Sequence, residues 1–145
     1  MKQFKAFTIE SNSGIMLALK TPVTVTSIIS KNAADVVATW DTGASRSCIS
    51  KRIVEYLNLK PVGLNTYNTA AGSVECYEYV INVILPNSVC CRQILVSEFS
   101  GAENTDMLVG MDIICLGDMA ITNANGITMM SFRIPPANEH TNYLE

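Results

Sequence analysis

The chain has 145 residues, a mass of 15.8 kDa, a net charge of -3 and a pI near 5.1. Its 48% hydrophobic content, 16% charged content and mean hydropathy of +0.24 describe one rather apolar globular domain over residues 1–145, large enough to bury a core. The acidic balance and the lack of a Lys/Arg cluster argue against nucleic acid. No apolar run approaches the ~18–20 residues needed to cross a bilayer, so no membrane partner is expected.

Met1-Lys2-Gln3-Phe4-Lys5 runs into Thr8, Glu10, Ser11 and Asn12 rather than an apolar core, so no export signal is visible. Five cysteines (Cys48, Cys76, Cys90, Cys91 and Cys115) form no disulfide framework, and a cytoplasmic location with reduced thiols fits them best. The apolar excess is compatible with a buried subunit interface.

In chain order, Phe4 to Glu10 reads as a first strand and Ser11-Asn12-Ser13-Gly14 as a turn. Ile15 to Leu19 and Val23 to Ile29 read as β segments around Pro22, the second alternating apolar and hydroxyl residues as a half-buried strand does. Lys31 to Asp35 turns into an apolar strand, Val36 to Trp40, which delivers Asp41-Thr42-Gly43-Ala44-Ser45. Ser47-Cys48-Ile49 extends again, and Ser50 is placed to cap a short helix, Lys51 to Asn58, with Ile53, Val54 and Leu57 on one face.

Pro61 and Gly63 end that helix. Leu64 to Thr69 and Val74 to Leu85 follow as strands joined by the hairpin tip Ala70-Ala71-Gly72-Ser73. Val89 to Val96 is a further strand and Ser100 to Thr105 a polar loop. Met107-Leu108-Val109 then leads through Gly110-Met111-Asp112 into a second short helix. A final hairpin joins Ala120-Ile121-Thr122 to Ile127 to Ile134, and residues 135–145 form a loose tail. Many short strands with one or two brief helices predict a mostly-β fold, a small closed barrel or folded sheet. No internal repeat is present.

The Asp41-Thr42-Gly43 turn carries the chemistry. Asp, Thr and Gly are also ordinary turn residues after a strand, so the tripeptide alone permits a purely structural reading. A lone carboxylate is ionised at neutral pH and is a poor general acid. Two held about 3 Å apart share one proton; one draws a proton from water while the other protonates the amide carbonyl. Gly43 lets two loops approach, Thr42 can hydrogen-bond across them, and Ala44 leaves room for substrate. Only one such turn exists: Asp106, Asp112 and Asp118 are followed by Met, Ile and Met. A carboxylate pair would therefore need its second member from a second copy across a two-fold axis.

Asp41-Thr42-Gly43-Ala44-Ser45 after an apolar strand resembles the active-site loop of retropepsin-like aspartic proteases. Met107-Leu108-Val109-Gly110-Met111-Asp112-Ile113-Ile114 resembles their second signature, and Asn68 to Ser73 falls where that family has its flap. The resemblance covers residues 20 to about 134, within a core of about 15–134. It implies a closed acid-protease β-barrel working as a homodimer on a peptide or protein substrate, with no cofactor and no metal.

By position, Asp41 would be the catalytic acid. Thr42 would bond across the dimer, Gly43 would help position the substrate main chain beside Ala44, and Ala70, Ala71, Gly72 and Ser73 would form the flap tip. Viral members usually carry Arg where Met111 stands, which leaves Asp112 as a helix cap. Those members dimerise through interleaved termini, whereas this chain has extra residues at both ends.

Other readings are structural. Cys48 is expected to be a small buried apolar residue, because the single histidine, His140, lies in the tail. Cys90-Cys91 lacks partners at zinc spacing and fits strand packing. Trp40 is expected in the core, with a pocket-lining role as the alternative; Met107, Met111, Met119, Met129 and Met130 are expected in the core or an interface, and Gly117-Asp118 as a turn. Besides a homodimeric aspartic endopeptidase, two alternatives stand: a non-catalytic module clamping an extended peptide by strand addition, and a plain β domain with no site.

Overall fold

A computed structural model describes residues 3–145; Met1 and Lys2, which open the stretch expected to lack an export signal, lie outside the described residues. The strands in chain order are β1 (Lys5–Glu10), β2 (Lys20–Ser27), β3 (Ala33–Trp40), β4 (Cys48–Ser50), β5 (Gly63–Thr69), β6 (Gly72–Ile84), β7 (Cys90–Phe99), β8 (Met107–Val109), β9 (Asp118–Thr122) and β10 (Met129–Ile134). Two short helices, α1 (Lys51–Tyr56) and α2 (Met111–Ile114), follow β4 and β8. The mostly-β class and both helices agree with the sequence reading.

Seven strands form one sheet in the order β2-β3-β8-β4-β7-β6-β5, and β2 also pairs with β6. Hydrogen-bonded neighbours therefore run from β2 through β3, β8, β4, β7 and β6 back to β2. Alternation sets the inward face, as the two-residue period of a strand requires. Val36, Ala38 and Trp40 of β3 point inward beside Val23 and Val25 of β2. Ile49, Ile81, Val83, Val96, Met107 and Val109 complete that core.

A smaller sheet, β1-β10-β9, packs beneath β3. The join is aromatic. Trp40 lies 5.0 Å from Phe132 and 5.8 Å from Phe7, ring centre to ring centre, and its indole N–H donates to Thr21 Oγ1 at 2.9 Å. Trp40 thus buries its ring with its polar atom satisfied, and it is core, as expected.

Ser50 caps α1 as its sequence implies, its Oγ accepting from the Ile53 N–H. The helix is shorter than expected, because Leu57 caps it and Asn58 turns to φ 50°. The larger correction is Ile15 to Leu19, which is not a strand. Isolated bonds hold this segment, Met16 N–H to Thr128 Oγ1 and Trp40 N–H to the Leu19 carbonyl, with no ladder to either side. Within the tail, Ala137 N–H donates to Asp118 at 2.6 Å, and residues 135–145 contain no strand or helix. Among the described residues no helix is long and apolar enough to cross a membrane.

Candidate active site

β3 and β8 run parallel with Trp40 beside Val109, so the residues that leave them, Asp41 and Gly110, start side by side. The Asp41 N–H donates to the Val109 carbonyl at 2.9 Å, which extends the ladder by one bond and fixes the backbone under the acid. Asp41 Oδ1 accepts from the Gly43 N–H at 2.8 Å, and the Asp41 carbonyl accepts from Ala44 N–H at 3.2 Å. A Cβ on Gly43 would stand 3.1 Å from Asp41 Oδ1, so glycine leaves the carboxylate its place. Asp41 is half-buried, whereas Thr42 and Gly43 are exposed.

The loop is stapled to the turn after β8. The Ala44 carbonyl accepts from Met111 N–H at 2.8 Å. Gly110 lies so close to the loop that a Cβ there would meet the Arg46 carbonyl carbon at 2.7 Å and the Ala44 oxygen at 2.8 Å. Ser47, fully buried, donates its hydroxyl to Asp112 Oδ1 at 2.7 Å and its N–H to Oδ2 at 3.0 Å, while its Oγ accepts from the Gly110 N–H at 3.0 Å. Asp112 is thus not the helix cap expected from sequence: Gly110 holds that position and Asp112 lies in the first turn of α2. Its carboxylate ties the Asp41 loop to α2, and Ser47 supplies the donors that make this possible without an arginine at Met111.

A cleft of about 640 Å³ runs from Gly43 and Ala44 under the β5–β6 hairpin to Thr69 and Val74. Its floor is one sheet face. Cys48, Ser97 and Glu78 are in register across β4, β7 and β6, so their side chains share that face, and Cys76 joins them two residues along. Glu78 is a buried carboxylate and is paired as such groups must be. It takes Arg46 Nη1 at 2.7 Å and the Tyr67 hydroxyl at 3.2 Å, and Ser97 Oγ donates to Tyr67 at 2.6 Å. This chain links the hairpin to the Asp41 loop.

Of the residues expected at the site, Gly43 and Ala44 line the cleft, with Asp41 two positions before them. Ala70, Ala71, Gly72 and Ser73 sit at the hairpin tip, all exposed, and do not line it; Thr69 and Val74 on either side do. The tip is held locally, by Thr69 Oγ1 donating to the Gly72 carbonyl and Ser73 Oγ to Asn68. Gly72 has φ +117°, which only glycine adopts without strain. Sequence reading missed Arg46, Tyr67 and Glu78. The available signal was Glu78, a charge placed directly before the apolar residues Tyr79-Val80-Ile81.

Cys48 is also corrected: it is half-buried in the cleft wall rather than packed in the core. Burial first, then the Asp112, Cys76 and Asp41 charges, push its thiol above the ordinary range, so it stays protonated and is a poor nucleophile. Cys91 is buried and pushed up to about 11, chiefly by desolvation, while adjacent Cys90 is exposed. Met107 and Met130 are fully buried, as expected. Among the described residues no three His, Cys, Asp or Glu side chains are grouped to hold a metal ion.

This architecture is that of a retropepsin-like aspartic protease. A retropepsin-like aspartic protease from Rickettsia conorii superposes with a TM-score of 0.59 at 12% identity, covering 92% of this chain and 98% of that one. The EIAV protease, in complex with the inhibitor HBY-793, superposes with a TM-score of 0.53 at 14% identity over 72% of this chain and 91% of that one. At such identities the likeness is one of fold. Residues 28–115 match the gag-polyprotein putative aspartyl protease family, and the chain belongs to that family. No curated protein sequence matches it.

Proposed function

We propose that this chain is an aspartic endopeptidase whose active unit is a homodimer, with the Asp41 carboxylates of two copies forming one catalytic pair. The observation that carries this reading is that the other four aspartates are engaged elsewhere. Asp35 accepts from Thr24, Asp106 from Arg52 and Ser50, Asp112 from Ser47, and Asp118 from Ala137. Among the described residues, the Asp41 carboxylate is held only by the Gly43 N–H of its own loop.

Two such carboxylates meeting across a two-fold axis cannot both ionise, so they hold one proton between them. The ionised member takes a proton from a water molecule, which attacks the peptide carbonyl, and the protonated member gives its proton to the carbonyl oxygen. An extended peptide occupies the cleft between the Asp41 loop and the β5–β6 hairpin. Gly43 and Ala44 approach its main chain, and the Ala70–Ser73 tip closes from above. Thr42, exposed and without a side-chain hydrogen bond among the described residues, is free to bond to the second copy's loop.

The test is Asp41→Asn with folding and sedimentation monitored. Cleavage of a peptide library should vanish while fold and assembly persist. Adding excess Asp41→Asn protein to wild type should suppress activity by subunit exchange, because each mixed pair lacks one acid. Activity that survives the substitution refutes the reading. Tight peptide binding by wild type without turnover at any pH marks a clamp rather than an enzyme.

A further inference from the structure

Beyond Glu78 the β5–β6 hairpin leaves the body of the sheet. Ladder bonds join β6 to β7 from Glu78 onward, with Glu78 facing Ser97, and to β2 only from Ile81 to Ile84. From Leu64 to Tyr77 the two strands pair with each other alone. A two-stranded ribbon is marginal by itself, so side chains must fix its height over the Asp41 loop. The tip supplies no such tie, since Thr69 bonds to Gly72 and Ser73 to Asn68. Among the described residues, one side chain of this free stretch is hydrogen-bonded outside it. Tyr67 accepts from Ser97 Oγ at 2.6 Å and donates its hydroxyl to Glu78 Oε2 at 3.2 Å.

The same Oε2 takes Arg46 Nη1 at 2.7 Å. One carboxylate oxygen therefore holds both walls of the cleft, the Asp41 loop through Arg46 and the hairpin through Tyr67. Arg46 and Tyr67 line the cleft, whereas Glu78 lies beneath them, 8% exposed. For stability alone an apolar side chain at such a position often serves as well as a buried charge pair. The pair is also unevenly wet, the Arg46 side chain being 44% exposed and that of Glu78 11%. A peptide laid over Arg46 removes that water and tightens the hold on both walls, because attraction between charges grows as the surroundings dry.

We propose that Glu78 is a positioning residue for peptide binding: it sets the gap between the hairpin and the Asp41 loop by holding Tyr67 and Arg46 on one carboxylate. The inference deepens the reading of the cleft as a peptide site and rests on it. Glu78 acts through its two partners and does not itself meet the peptide.

The probe is a fluorescent peptide captured from a library on the Asp41→Asn protein, so that binding is read without cleavage. Glu78→Gln keeps the shape of the side chain and removes its charge. In the Asp41→Asn background it should raise the Kd about tenfold or more, the scale of one hydrogen bond to a charged group. Tyr67→Phe should also weaken binding, yet add less than about twofold once Glu78→Gln is present, because both act through one carboxylate. With Asp41 intact, Glu78→Gln should raise KM and leave kcat nearly unchanged. Gly126→Ala, a destabilising change outside the cleft, should leave the Kd where it was, which separates positioning from a general loss of stability. A Kd within about twofold of the parent in Glu78→Gln, or losses from the two substitutions that simply add, overturns the proposal. Should Glu78→Gln not fold, Tyr67→Phe decides on the same scale. A wild type that cleaves none of the captured peptides removes the protease reading and leaves the Kd comparison to decide on Glu78. A library that yields no captured peptide overturns both.

Discussion

Ser47→Ala is the substitution whose cost follows most directly from the structure. The side chain is fully buried and its one oxygen serves two groups, donating to Asp112 Oδ1 at 2.7 Å and accepting from the Gly110 N–H at 3.0 Å. Alanine keeps the Ser47 N–H bond to Asp112 but leaves the Gly110 N–H without a partner where water cannot reach it. An unsatisfied buried donor costs about 1–3 kcal/mol, and a lost hydrogen bond to a charged acceptor about 1.5–3 kcal/mol. The two terms overlap, so the net expectation is about 2–4 kcal/mol. For a chain of this size that is a fall in Tm of about 6–12 °C. Calorimetry should be run at one protein concentration, since assembly raises Tm by mass action. Ser45→Ala, two residues earlier and exposed, is the control and should move Tm by about 1 °C or less. A Ser47→Ala melt within about 2 °C of wild type would refute the brace.

Gly117→Ala should be harsher, because its Cβ would lie 1.9 Å from the Arg133 carbonyl oxygen on β10, a rigid neighbour. A cost of about 3 kcal/mol or more and a loss of soluble protein are expected. Gly126→Ala, at φ +74° in open space, should cost only about 1–2 kcal/mol; equal losses in the two melts would contradict this steric reading. Asp106 gives an acid signature. The Arg52 hydrogen bond, helped by Ser50, holds its carboxyl below the usual range in the folded chain. The stability this supplies is present above the unfolded carboxyl's pKa, near ~3.9, and is lost as pH falls through the lower folded value. Asp106→Asn should therefore be less stable than wild type at neutral pH and lose less on acidification, read from urea melts between about pH 3 and 7. Parallel acid limbs would refute the linkage.

What could be read from the chain alone was local. Val36 to Trp40 is an apolar, β-rich run that reads as a strand, and Asp41-Thr42-Gly43 follows it with the small residues that such a turn needs. Ser50 stands where a helix needs a cap, and the hairpin turns where the sequence placed its tip, although the turn is Ala70-Ala71 alone and Gly72 and Ser73 already belong to β6. Each of these rests on interactions among residues a few positions apart, so each is present in the order of the letters.

The brace and the cleft floor are different in kind. Ser47 and Asp112 are 65 residues apart in sequence, and Arg46 and Glu78 are 32 apart. The alternation of β6 shows that Cys76 and Glu78 share a face but not that this face meets the Asp41 loop through Arg46. Ile15 to Leu19 has strand composition and no strand, because a strand needs a neighbour along its whole length and this segment meets others only at single bonds. In the same way Ile121 is apolar in the sequence, and only the sheet order leaves it at an uncovered edge. Periodicity specifies which side chains face together; the closure of distant strands decides what they face.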